Sequence, residues 1–189
     1  MSLAVRHRRV VGLVVAVAGL TASGCSHGAR ATTKPSPPAT FPSPSPSPSL
    51  NEEAMATSQA IAAYKATFLD VNEAVSHRNS SDPALMRHSG SSALAFFAAT
   101  ARFYITQDVT LKGMPALRLQ VVSTSLTATP PNVLLQACVD PRAQQHLDRQ
   151  TGRPAAGFIL KPRPQAVLVQ QRQERWLVDA VKADPKRTC

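Results

Sequence analysis

The chain has 189 residues, 21 basic and 11 acidic side chains, and a formal charge of +10. The positive residues are scattered rather than striped, so the clustered basic face that a nucleic-acid partner requires is absent and nucleic acid is excluded as the expected partner. No H-E-x-x-H, no C-x-x-C, no acidic cluster and no glycine-rich phosphate loop occurs, so nothing in the sequence calls for a metal or a cofactor.

Residues 1–9 carry Arg6, Arg8 and Arg9 with no acid, and residues 10–20 are uncharged and mostly aliphatic. A basic start, a short apolar run and small residues before a processing point are the parts of a secretory signal. Counted to Gly24 the apolar run is 15 residues, short of the ~20 that a spanning helix needs. Ala22-Ser23-Gly24-Cys25 resembles the lipobox of bacterial lipoproteins, in which the cysteine becomes the lipidated N-terminus. The alternative is ordinary cleavage after Gly24, with Cys25 a bystander. Residues 1–24 are thus read as a lipoprotein signal peptide, and Cys25 as the site of lipidation. The expected location is the extracytoplasmic face of the cell membrane, with the lipid on Cys25 as anchor.

Residues 25–48 are read as a disordered tether. Seven prolines fall between Pro35 and Pro48, mostly alternating with serine. Such a tract cannot build a core and favours extended polyproline II. At ~3.1 Å per residue it spans at most roughly 70 Å.

Residues 49–189 are long enough for one domain with its own core. Between Leu50 and Cys189 there are 16 basic and 11 acidic side chains. That surplus suits an anionic wall polymer or lipid headgroup, or else simply a solvated surface. If Cys25 is lipidated, Cys138 and Cys189 remain as an even pair in an oxidising compartment and are expected to form a disulfide. The alternatives are two free thiols, or Cys138 as a small core residue.

In chain order, Ser49 and Glu52 form a capping box. The spacing of Ile61, Tyr64, Phe68, Val71 and Val75 predicts an amphipathic helix to about Ser76. Asp82-Pro83 starts a short second helix, Ala84 to His88, closed by Gly90. A third helix begins near Ser91, with Leu94, Phe97, Ala98, Ala101, Tyr104 and Ile105 on one face. After a turn at Lys112-Gly113-Met114-Pro115 the period becomes two. Strands are predicted around 117–121, 133–139, 166–172 and 176–181, the last two as an antiparallel hairpin. His146–Gln150 leads into a hairpin or loop at Thr151-Gly152.

Helices followed by an antiparallel meander make an α+β domain, its helices packed on one face of a curved sheet. The order of Tyr64, Asp82-Pro83-Ala84-Leu85, Gly90, Ala93-Leu94, Cys138-Val139-Asp140, Thr151-Gly152, Trp176-Leu177-Val178 and Cys189 resembles a group of actinobacterial secreted lipoproteins of no established activity. Their domain is similar to the cone-like nuclear transport factor 2-like (SnoaL-like) fold. The resemblance covers about residues 50–189 and implies a fold and a compartment, not a reaction.

That fold encloses a pocket between sheet and helices, and Tyr64, Tyr104 and Trp176 are the candidate lining residues. An isomerase-like site needs an aspartate base and a hydroxyl donor in an apolar cavity. The available pairs are Tyr64 with Asp70 and Tyr104 with Asp108. Both tyrosines lie on apolar helix faces and read first as core residues, and Asp70 falls outside the apolar stripe and is expected to be exposed. His146 and Asp148 share one side of an extended segment, but read as a solvated hairpin side. Trp176 reads first as core packing. No residue is assigned as catalytic. The expectation is therefore a lipoprotein whose domain binds a small apolar ligand or an envelope protein without catalysis. The alternatives are a pocket enzyme of isomerase or cyclase type, or a purely structural envelope protein.

Overall fold

The computed structural model describes residues 49–158 and 160–189. The expected signal peptide, the expected tether and Cys25 lie outside the described residues. Residues 49–189 belong to a compact unit with its own core, which is what a domain needs to fold alone.

Helix α1 spans Leu50–Ser76. The Ser49 hydroxyl accepts from the Glu52 amide at 3.3 Å, and the Glu52 carboxylate accepts from the Ser49 amide at 2.7 Å, so the expected capping box starts it. Its buried stripe is wider than the five apolar positions suggest. Ala56, Ala60, Ala63, Thr67, Asp70 and Ala74 are buried beside Tyr64, Val71 and Val75.

The short second helix is corrected to a single 3-10 turn, Pro83–Met86, capped by the Asp82 carboxylate on the Ala84 amide. Gly90 does not close it. Gly90 is the N-cap of helix α2, Ser91–Thr106. The physical reason is that residues 88–90 run along the last strand: the Val178 amide donates to His88 and the Gly90 amide to Val178, both at 2.8 Å. Backbone spent on that strand cannot continue a helix.

Among the described residues six strands follow: β1 Val109–Lys112, β2 Ala116–Ser125, β3 Asn132–Asp140, β4 Gln145–Asp148, β5 Arg163–Arg172 and β6 Arg175–Ala183. Strands β2-β3-β5-β6 form an antiparallel meander in that order, and β1 pairs with β4 in a separate two-stranded sheet. The β5–β6 hairpin turns at Gln173 and Glu174, both in the left-handed region at φ 48° and 63°, the backbone of a tight type I′ turn.

The inward rows of three meander strands are mainly apolar: Val133, Leu135 and Val139 from β3, Val167 and Val169 from β5, Trp176 and Val178 from β6. Against them pack Tyr64, Val71 and Val75 of α1, and Phe97 and Ala101 of α2. The domain is α+β, two helices on antiparallel sheet, as expected. Cys138 and Cys189 are joined by a disulfide across 6.0 Å between Cα atoms. No helix among the described residues is long and apolar enough to cross a membrane.

Candidate functional site

A cavity of about 620 Å³ lies between α1, α2, β3, β5 and residues 156–158 and 160–161. This volume is within the range of small-molecule sites. Six aromatic rings stand in its apolar wall: Phe68, Phe96, Phe97, Phe103, Tyr104 and Phe158. The rings brace one another edge to face, with centroids 6.2 Å apart for Phe68 and Phe97 and 5.3 Å for Phe96 and Phe97. Solvent-exposed Phe103, Gln107 and Lys161 belong to the lining, so the cavity communicates with water on that side.

Polar groups enter the wall at fixed points. Gln165 is the inward residue of β5 that precedes Val167, and its Oε1 accepts from the Tyr64 hydroxyl at 2.8 Å. Tyr64 is fully buried and its phenol is pushed far up by burial, so it remains neutral and donates. Gln144 donates through Nε2 to Asn72 at 2.9 Å and to the Gly113 carbonyl at 3.2 Å. These bonds tie α1, the β1–β2 turn and the approach to β4 into one wall.

Tyr104 lines the cavity, and its hydroxyl lies 3.3 Å from Nε2 of His146. Nδ1 of His146 faces the Gln144 carbonyl at 3.0 Å. A carbonyl only accepts, so Nδ1 carries the proton, and Nε2 is left to accept from Tyr104. Burial lowers the His146 pKa, outweighing the opposing carbonyl contact, and burial raises that of Tyr104. Both rings are therefore neutral at neutral pH.

The reading of His146 as a solvated hairpin residue is thus corrected. It is 6 % exposed, because β4 pairs with β1 and Phe158 covers the imidazole at 5.9 Å between ring centroids. Asp148 turns instead to the following loop, accepting from the Thr151 amide and hydroxyl, which lowers its pKa.

Asp70 is also corrected: it is buried, not exposed. Its carboxylate accepts from Arg87 Nε at 3.1 Å and lies 2.8 Å from Nδ1 of His88. The chain leaving the 3-10 turn folds back over α1 and covers it. Neither acid–tyrosine pair forms among the described residues. Asp108 is bound by Arg78 and by Gln150 at 3.3 Å, and the Arg78 contact leads the causes that hold its pKa low.

The three candidate lining residues separate. Tyr104 faces the cavity, Tyr64 stands behind Gln165, and Trp176 is buried in the core at the start of β6, outside the lining. Glu73, His77 and Asp82 bring potential ligand atoms within 4.8 Å of one another. Glu73 is already engaged by Arg87, and Asp82 by His77 and the Ala84 amide, so the trio reads as an ion-pair network that fixes the 3-10 turn.

Gln165, Gln144 and the phenylalanine cluster were not singled out by sequence reasoning. A signal for Gln165 existed, since it occupies an inward position of a strand whose other inward residues include Val167 and Val169.

No protein-family model matches the chain, and no curated protein matches it. Among solved structures, the intermembrane-space region of the chloroplast protein ARC6 aligns with a TM-score of 0.42 and 10 % identity, over 69 % of this chain and 95 % of that one. A likeness at that level carries no argument for function.

Proposed function

We propose that the protein is a lipid-anchored extracytoplasmic lipoprotein whose domain binds a small apolar ligand in the aromatic cavity without transforming it. The observation that carries the binding reading is the cavity of about 620 Å³ walled by braced phenyl rings. Rigid aromatic walls bury large apolar area at little ordering cost. The anchor rests on the lipobox-like Ala22-Ser23-Gly24-Cys25, and the resemblance to secreted lipoproteins supports the compartment.

The neutral, environment-sensitive dye Nile red tests the cavity. Domain 49–189 is expected to bind it with enhanced emission. Thr100→Phe, which fills the lining, is expected to abolish the enhancement while circular dichroism stays that of the folded domain. Undiminished binding in that variant would place the dye elsewhere and reject the cavity. For the anchor, a full-length Cys25→Ser variant should leave the membrane fraction, and one that stays there rejects lipidation at Cys25.

A second reading is favoured by one contact, the Tyr104 hydroxyl on His146 Nε2 at the cavity wall. A neutral tyrosine backed by a neutral imidazole can pass a proton to or from a bound ligand, as an isomerase or cyclase requires. Turnover that vanishes in Tyr104→Phe with dye binding intact would select this reading.

A further inference from the structure

We infer that the cavity takes its ligand as an amphipathic carboxylate, the head at Arg163 and Gln165 and the apolar part among the phenyl rings. The inference rests on the cavity reading above and adds the chemistry of the head group. Arg163 and Gln165 are two residues apart on β5 and both line the cavity, as alternation along a strand requires for residues on one face. Gln165 is only 8 % exposed. Its Oε1 is occupied by the Tyr64 hydroxyl, and among the described residues its Nε2 has no protein acceptor, leaving two N–H groups to the cavity. Arg163 is held by donation from Nη1 to the Pro185 carbonyl at 2.8 Å. Its remaining N–H groups meet no carboxylate, since the ion pairs among the described residues include neither Arg163 nor Lys161.

No acidic side chain lines the cavity among the described residues, while Arg163 and Lys161 both do. This end of the cavity therefore carries positive charge and N–H donors with no carboxylate among the described residues to balance them. An ionised carboxylate is an acceptor-only group. Its planar pair of oxygens also suits a guanidinium beside a carboxamide. An amine is repelled here, and an alcohol satisfies at most part of the donor set.

Dodecanoate and dodecanol, which share one tail, are titrated against Nile red on domain 49–189. Dodecanoate is expected to displace the dye at about tenfold lower concentration than dodecanol, as charge-assisted hydrogen bonds require. Arg163→Gln and, separately, Lys161→Gln should narrow that preference without weakening dodecanol. Equal displacement by both compounds in the wild type overturns the carboxylate head and leaves the apolar cavity standing, and a preference that survives in both variants overturns the seat of the head at Arg163. Displacement by neither, with Nile red bound, also overturns the carboxylate head. If Nile red itself fails to bind, the cavity reading fails with it. The wild-type comparison does not depend on how well either variant folds.

Discussion

His146 shows how one side chain ties stability to pH. Its imidazole is held neutral by burial, against a free value near 6.5. In the window between that value and the lowered one, the unfolded chain binds a proton that the folded chain does not. Stability therefore rises with pH through this window, and is lost as pH falls below about 6.5. The urea midpoint of domain 49–189 should drop between about pH 7.5 and about pH 5.5, and His146→Gln should show a smaller drop. An equal drop in that variant would assign the sensitivity to another group. Asp70 makes a complementary point about what can be read from spacing. Its position beside Val71 is on the wide flank of the α1 stripe, and nothing local reveals that Arg87 and His88, beyond the next turn, will cover it. Burial of a charge by a remote segment leaves no periodic signal.

At the scale of elements, the β1–β2 turn fixes the cavity's position. Gly113 sits at φ 76°, where a side chain costs about 1–2 kcal/mol because Cβ crowds the following carbonyl. No atom lies within 4 Å of where that Cβ would stand, so the cost of Gly113→Ala is conformational and not a clash. Because the Gly113 carbonyl accepts from both Asn72 and Gln144, the strain is transmitted to the cavity wall. Gly113→Ala should lower the unfolding free energy by about 1–2 kcal/mol in urea titrations and weaken Nile red binding as well. Unchanged stability would mean that the turn relaxes without strain. The helix α1, the start of α2, the four meander strands and the β5–β6 hairpin were all legible, because each has a sustained period of 3.6 or 2 and a cap or turn at its ends. Strands β1 and β4 were not. Each has four residues, too few for alternation to stand out, and they acquire their identity by pairing with each other. The cavity was legible only as a property of the resembled fold. Its polar fixtures, Gln144 and Gln165, depend on partners from α1 that lie 72 and 101 residues away in sequence.

For the whole molecule, the disulfide decides where the segment after β6 lies. Strand β6 stops at Ala183, and the last residues carry little core contact of their own. The bond from Cys189 to Cys138 returns this tail to the outer side of β3, where Arg118 donates to the Cys189 carbonyl at 2.8 Å. The tail also supplies the Pro185 carbonyl that holds Arg163 at the cavity, so the cross-linked segment reaches the cavity wall. The two cysteines are 51 residues apart, and a loop of that order restricts the unfolded chain by roughly 4 kcal/mol in the chain-entropy account. Cys138→Ser/Cys189→Ser should therefore lower the unfolding free energy by about 2–4 kcal/mol. Because the tail then frays and frees the Arg163 guanidinium to move, the double variant should also lose part of the dodecanoate preference while keeping its affinity for dodecanol. Titration of both compounds in buffer without denaturant, where the domain is still folded, separates this effect from global destabilisation. Weakening of dodecanol in parallel with dodecanoate would mean that the cross-link supports the domain as a whole and not the head-group end of the cavity.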